Sequence, residues 1–249
     1  MTCLHEWLEC EPLQVDEQLY AVLSNASDCK ALAAWRQAGG GSPSPLWAGS
    51  EYADWQEVMP YAAVVAIDSA FLDWVAACEG DDWGWLAVSS CSLQTVVEHL
   101  CSLTKVLLPE GQAVFFRFWD GACLLPVLQA LGPQAGEVIP VFRRYWINGQ
   151  SHEVTGAVMG SARKSPWWKV PAPVLKRLEE RSTVTLVDNL LQWLEEQRSD
   201  LHSAFALTTL RHKVTYFVGG PNEGHQALAA YLSSELGKPS DRDPAPLPV

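Results

Sequence analysis

The sequence predicts an α+β protein with a mixed β-sheet and flanking helices in an N-terminal lobe and a helical C-terminal lobe. Short β-branched runs alternate with stretches of helical period through the first half. An Asn148-Gly149 pair, the residue choice of a tight hairpin, stands between two apolar segments. From Pro171 onward only helical periodicity remains. A chain of 249 residues, 48% of them apolar, can build an ordinary core in one large domain or two small ones. The expected divisions are an α/β domain at 1–160, a helical lobe at 161–237 and a proline-rich disordered tail at 238–249.

Taken in order, residues 19–24 read as a strand, and Asn25-Ala26-Ser27-Asp28 as the cap of a helix with Cys29, Leu32, Ala33 and Trp35 inward. Residues 39–45 hold three glycines and two prolines but no lysine, so they read as a surface loop and not a phosphate cradle. Residues 62–67 suit a strand buried on both faces, and Ser69 caps a helix through Phe71, Trp74, Val75 and Cys78. Residues 83–89 form another strand. Ser92 opens a helix with Leu93, Val96, Val97, Leu100 and Leu103 on one face. A turn at 109–112 leads into 113–119, and Asp120 caps a helix that Gly132-Pro133 stops. Strands at 138–147 and 153–159 meet through Asn148-Gly149-Gln150. Four helices follow, at 171–181, 184–197, 201–218 and around Leu228, Tyr231, Leu232 and Leu236.

Charge is uneven along the chain. Residues 1–104 carry 15 acids against Lys30 and Arg36, whereas residues 105–249 carry 14 acids and 15 bases. An acidic half repels phosphate backbones and anionic headgroups, so neither nucleic acid nor membrane is expected as partner. The eight bases at Arg143, Arg144, Arg163, Lys164, Lys169, Lys176, Arg177 and Arg181 either steer a second protein or attract the acidic half. The first ten residues lack a secretory signal's basic start, and no apolar run approaches the ~18 residues of a membrane helix. Seven cysteines without paired spacing read as reduced thiols, which places the protein in a cytoplasm.

Recognised catalytic arrangements are missing: there is no zinc helix, Cys-x-x-Cys pair, nucleophile elbow, Walker loop or dinucleotide fingerprint. Cys91, His99 and Cys101 are the best metal candidates, but His99 and Cys101 point about 200° apart on a helix. No metal and no cofactor is expected. The paired acids Asp81-Asp82, Glu179-Glu180 and Glu195-Glu196 splay apart as sequence neighbours do. Among the twelve tryptophans, Trp167 and Trp168 stand out, because they lie between prolines beside Arg163 and Lys164. Aromatic rings among basic residues have the composition of an interface hot spot, although plugging a seam between lobes is an equal reading. The helix at 184–197 carries Leu190, Leu191, Trp193 and Leu194 on a wide apolar face, which either receives a partner helix or packs into its own lobe.

Five stretches in order carry a resemblance. They are Tyr20-Ala21-Val22-Leu23-Ser24-Asn25-Ala26; Pro60-Tyr61 with Ser69-Ala70-Phe71-Leu72-Asp73-Trp74; Trp83-Gly84 leading to Ser89; the helix containing His99-Leu100; and Phe116-Arg117-Phe118-Trp119-Asp120. Through them, residues 19–146 resemble the effector chaperones, or Tap/TEC adaptor proteins, of bacterial type VI secretion systems. The family usually has Leu-Asp-Gly-Ala where this chain has Leu23-Ser24-Asn25-Ala26, and Pro-Arg where it has Gly121-Ala122. The resemblance implies a non-catalytic protein of a Gram-negative cytoplasm that binds a toxic effector and promotes its loading onto the C-terminal region of its cognate VgrG spike. Tyr20, Trp74, Trp83, Gly84, Phe116, Arg117, Phe118 and Asp120 read as fold determinants within it. A small Cys/His enzyme and an immunity-type inhibitor of one toxin are the rival expectations.

Overall fold

The computed structural model describes residues 4–154, 163–220 and 224–236. The chain divides into two compact units, residues 1–175 and 176–249. The boundary predicted at 160 lies outside the described residues, as do the predicted tail and the 155–159 part of a predicted strand.

The first unit opens with α1 (Leu4–Cys10), β1 (Gln18–Leu23), α2 (Ala31–Gln37), β2 (Ser44–Pro45) and β3 (Tyr61–Val65). It continues through α3 (Ala70–Ala77), β4 (Gly84–Ser89), α4 (Leu93–Ser102), β5 (Lys105–Leu107) and β6 (Ala113–Phe115). It ends with α5 (Gly121–Leu131), α6 (Ala135–Val138), β7 (Arg144–Ile147) and β8 (Gln150–Glu153). Six strands form one sheet in the order β2-β3-β1-β4-β7-β8, while β5 and β6 form a separate hairpin. The α+β class is as the sequence predicts, with one difference inside it. The sequence predicts a mixed sheet, yet every pairing is antiparallel. The reason is burial of the central strands β1 and β4 on both faces: continuous apolar runs ordinarily mark parallel strands, and an antiparallel centre covered on both sides has the same pattern, whereas in the 62–67 run expected to be buried Val64 is 40% and Ile67 56% exposed. Leu19, Ala21, Leu23, Leu86 and Val88 meet α1, α2 and α3 on one face. On the other, Tyr20 donates its hydroxyl to the Cys91 carbonyl, and Trp85 packs edge-on against Phe142 at 5.2 Å.

Local signals place most elements. Ser69 accepts from the Phe71 N–H, and Ser92 from the Thr95 N–H, at the starts of α3 and α4. Asn148 and Gly149 both take positive φ, 50° and 71°, so β7 and β8 join through a two-residue turn and β8 begins at Gln150, not 153. The predicted cap of α2 fails. Lys30 occupies that position in left-handed backbone with no side-chain cap bond, because Ser27 donates to Asp82 and Asn25 reaches elsewhere. Residues 135–138 are helical, so the strand predicted at 138–147 shortens to β7. Likewise β6 stops at Phe115, short of the predicted 119.

Two arginines tie the N-terminal segment down. Arg144 is 1% exposed on β7, donates to the Trp7 carbonyl at 2.8 Å and stacks over the Trp7 ring at 4.6 Å. Arg143 pairs with Glu11 and Glu17. Of the eight bases read as a possible steering patch, these two are therefore spent inside the fold, on acids of the first half.

The second unit is helical, as predicted: α7 (Ala172–Gln197) reaches into it from the first, followed by α8 (Ser199–Ser203), α9 (Leu207–Val218) and α10 (His225–Leu236). Two helices predicted at 171–181 and 184–197 are one. Thr183 does not break it, since its hydroxyl donates back to the Glu179 carbonyl at 3.0 Å, one turn earlier. Conversely, the helix predicted at 201–218 divides near Phe205, whose ring packs against the unit's core.

One contact constrains the sheet most. Gly84 has φ 137°, and a Cβ there would lie 2.0 Å from the Val22 carbonyl oxygen. Gly84→Ala is expected to cost about 3 kcal/mol or more, from a backbone region closed to other residues plus the clash. A urea titration should show a lower midpoint at an unchanged slope.

Candidate functional site

Most of the motif residues lie around a junction between β4 and α5, Tyr20 standing apart in β1 opposite Ala87. Asp120 accepts from the Ala122 N–H at 2.8 Å and the Cys123 N–H at 3.4 Å, which satisfies the start of α5. Its other oxygen accepts from Arg117 Nη2 at 2.7 Å. Phe116 and Phe118 are buried and Arg117 lies outward, although the strand has already ended. The Trp85 indole donates to the Phe118 carbonyl at 2.8 Å. Gly121 fits because a Cβ there would stand 2.8 Å from the carbonyl oxygens of Gly84 and Asp81. Trp83 is buried, with Trp74 edge-on to it at 5.8 Å. Asp120 and the Trp85 indole are thus used in holding backbone, whereas the Trp119 indole N–H and the Asn148 Oδ1 are buried without a hydrogen-bond partner among the described residues.

Three groups that could do chemistry, His99, Cys101 and Cys123, are buried or partly buried and hydrogen-bonded. His99 is buried with Nε2 2.8 Å from the Val138 carbonyl, and burial lowers its pKa, so the neutral ring donates there. Cys101 donates to the Leu46 carbonyl, and burial pushes its pKa to about 11. Burial, reinforced by the Asp120 carboxylate, raises Cys123 to about 11 as well. Such thiols are protonated at neutral pH and weak as nucleophiles. Among the described residues, no three His, Cys, Asp or Glu side chains gather as a metal site.

The predicted partner-binding residues separate by burial. Trp168 is buried against Phe116 at 5.7 Å, and its carbonyl accepts from the Leu107 N–H at 2.8 Å. It is a core residue of the first unit. Trp167 is half-buried, donates to Ser102 at 2.9 Å and lies under the Arg163 guanidinium at 4.7 Å. Arg163 and Lys164 are exposed. In the second unit, Leu190, Leu191 and Leu194 are buried in a cluster with Leu210, Val214, Phe217, Leu228 and Leu232. Trp193 flanks that cluster against His225 at 4.6 Å. The buried face of α7 thus packs with α9 and α10 within its own lobe, one of the two arrangements the sequence left open.

A different surface escaped the sequence reading. Residues 46–59 are a succession of turns carrying Trp47, Tyr52 and Trp55. Trp47 is buried, donates to Thr104 at 3.1 Å and stands edge-on to Trp119 at 5.0 Å. Above it, Tyr52, Trp55 and the Phe115 ring of β6 form an open face, with Trp55 48% and Phe115 42% exposed. Trp55 stacks on Phe115 at 5.6 Å, and Tyr52 lies 5.0 Å from Phe115 and 5.3 Å from Trp55. Lys105 sits over the Tyr52 and Phe115 rings and pairs with Glu51. Beside it, Trp47, Tyr52, Thr104, Lys105 and Pro166 wall an open cleft of about 490 Å³. The available signal was three aromatic residues in a segment with neither helical nor strand period.

Residues 19–136 match a family model described as Domain of unknown function (DUF4123). The match covers β1 through the start of α6, which includes the β4–α5 junction and the aromatic face. No curated protein and no solved structure matches the chain. No helix among the described residues is long and apolar enough to cross a membrane.

Two variants test these assignments. Burial raises the Asp120 pKa above its ordinary 3.8, with Arg117 opposing. A carboxyl with a raised folded pKa contributes most below 3.8, and that contribution is lost as pH rises through the raised value. Asp120→Asn keeps an acceptor for the cap and should remove this part of the pH slope in urea midpoints. Asp120→Ala leaves the α5 donors unpaired and should cost about 1–2 kcal/mol at neutral pH. For the paired tryptophans, Trp168→Ala should cost about 3–5 kcal/mol, and half-exposed Trp167→Ala distinctly less, by the same titration.

Proposed function

We propose that the chain is a non-catalytic adaptor that binds a type VI secretion effector in the cytoplasm and promotes its loading onto the cognate VgrG spike. One observation carries this reading. The DUF4123 match at 19–136 coincides with the stretch, 19–146, through which the ordered motifs resemble the effector chaperones. Two features support it further. The motif's polar residues are engaged in capping and backbone contacts, and the thiols of Cys101 and Cys123 are raised to about 11, away from catalytic range. The first unit also presents an aromatic face with exposed rings, the composition of a protein contact. Binding two partners on one rigid body couples them without any reaction.

The test is a pull-down of the purified chain from lysates of its own bacterium, in wild type and in a strain lacking the spike genes, read by mass spectrometry. A VgrG protein together with one toxin is the expected recovery from wild-type cells, with the spike missing from the deletion strain. Recovery of neither, in cells shown to express both, overturns the reading.

A further inference from the structure

We propose that the aromatic face of Tyr52, Trp55 and Phe115 binds an extended, proline-containing segment of a partner protein that carries basic residues. This does not depend on the effector-loading reading. Four observations define what the face can accept.

First, the rings are fixed and partly open: Lys105 lies over Tyr52 and Phe115, and Trp55 is the most exposed of the three. Trp55 and Phe115 are nearly parallel, 22° apart, and Trp47 supports both Tyr52 and Trp55 from beneath at 5.8 and 6.2 Å. The loop that carries them is pinned by Asn25, whose amide donates to the Gln56 and Glu57 carbonyls at 3.0 and 3.2 Å. A face already ordered loses little freedom when it binds.

Second, the indole N–H of Trp55 meets no acceptor among the described residues, whereas those of Trp47 and Trp85 do. A polyproline II segment has no internal hydrogen bonds and directs its carbonyls outward. Flat rings for the proline side chains and one free donor for a carbonyl suit such a segment. A helix would present carbonyls already paired.

Third, the surrounding charge selects the partner's sign. Glu51, Asp54 and Glu57 are exposed on the same loop, and Lys105 pairs with Glu51 alone. The Asp54 and Glu57 carboxylates meet no cation among the described residues. They would attract lysine or arginine and repel an acidic chain or a phosphate.

Fourth, the cleft beside Tyr52 is walled by Trp47, Lys105 and Pro166, which gives an extended chain somewhere to continue past the rings.

The probe is a fluorescein-labelled synthetic peptide of alternating proline and leucine with arginine at each end, titrated with the full chain and read by anisotropy. Saturable binding is expected. Trp55→Ala should weaken it about tenfold or more. Trp55→Phe, which keeps a ring and removes the donor, should give an intermediate loss and guards against a folding artefact. The joint change of Asp54→Asn and Glu57→Asn should weaken binding and reduce its salt dependence. A peptide with alanine for every proline should bind at least about tenfold more weakly. Three results overturn the proposal. They are absence of saturation below about 1 mM, equal binding by Trp55→Ala, and a concentration-dependent dimer lost in Trp55→Ala, which would assign the face to a second copy of the chain.

Discussion

The close approach of Gly84 to the Val22 carbonyl is the constraint on which the first unit depends. With no side chain at 84, β4 starts directly against β1, and its next residue, Trp85, can reach the Phe118 carbonyl. Gly121 then rests on the Gly84 and Asp81 carbonyls, which brings the start of α5 down onto the same point. The segment between these contacts, Phe116 to Asp120, is held by backbone and by one buried carboxylate. Trp119 extends from it to Trp47, and Trp47 carries the exposed rings. A pair of glycines in the interior thus determines where an aromatic surface stands on the outside.

Several buried titratable groups are engaged in the same way. Asp120 is used by two N–H donors and a guanidinium, His99 by a carbonyl, and Cys101 by another. Buried polar groups must find partners, and each partner found here is structural. The surface of the first unit also carries the exposed rings of Trp55 and Phe115 beside the exposed acids Asp54 and Glu57.

Charge has a similar division of labour. The acidic first half and the more basic second half look, along the chain, like two opposed surfaces. Arg143 and Arg144 show the more local use, in which bases at the start of β7 clamp the segment around Glu11 and Glu17. A cation as buried as Arg144 is tolerable because two backbone carbonyls and the face of Trp7 receive it. Arg163 and Lys164, by contrast, are exposed beside Trp167.

By itself the sequence determined the features that depend on near neighbours. The caps at Ser69, Ser92 and Asp120, the Asn148-Gly149 turn and the helical texture beyond Pro171 follow from side chains acting within a few residues, so local chemistry suffices to read them. The tertiary structure alone decided whatever depends on partners distant in sequence. An antiparallel sheet covered on both faces leaves the same apolar runs as a mixed one, so strand direction was not legible. Ser27 and Asn25 were read as caps but are drawn to Asp82 and to the loop at 56–57. Which of two uses the apolar face of α7 has, a partner or its own lobe, was decided by its packing with α9 and α10. Trp47, Tyr52, Trp55 and Phe115 form a surface only because a turn-rich loop and a separate hairpin meet in space, and no periodicity along the chain encodes such a meeting.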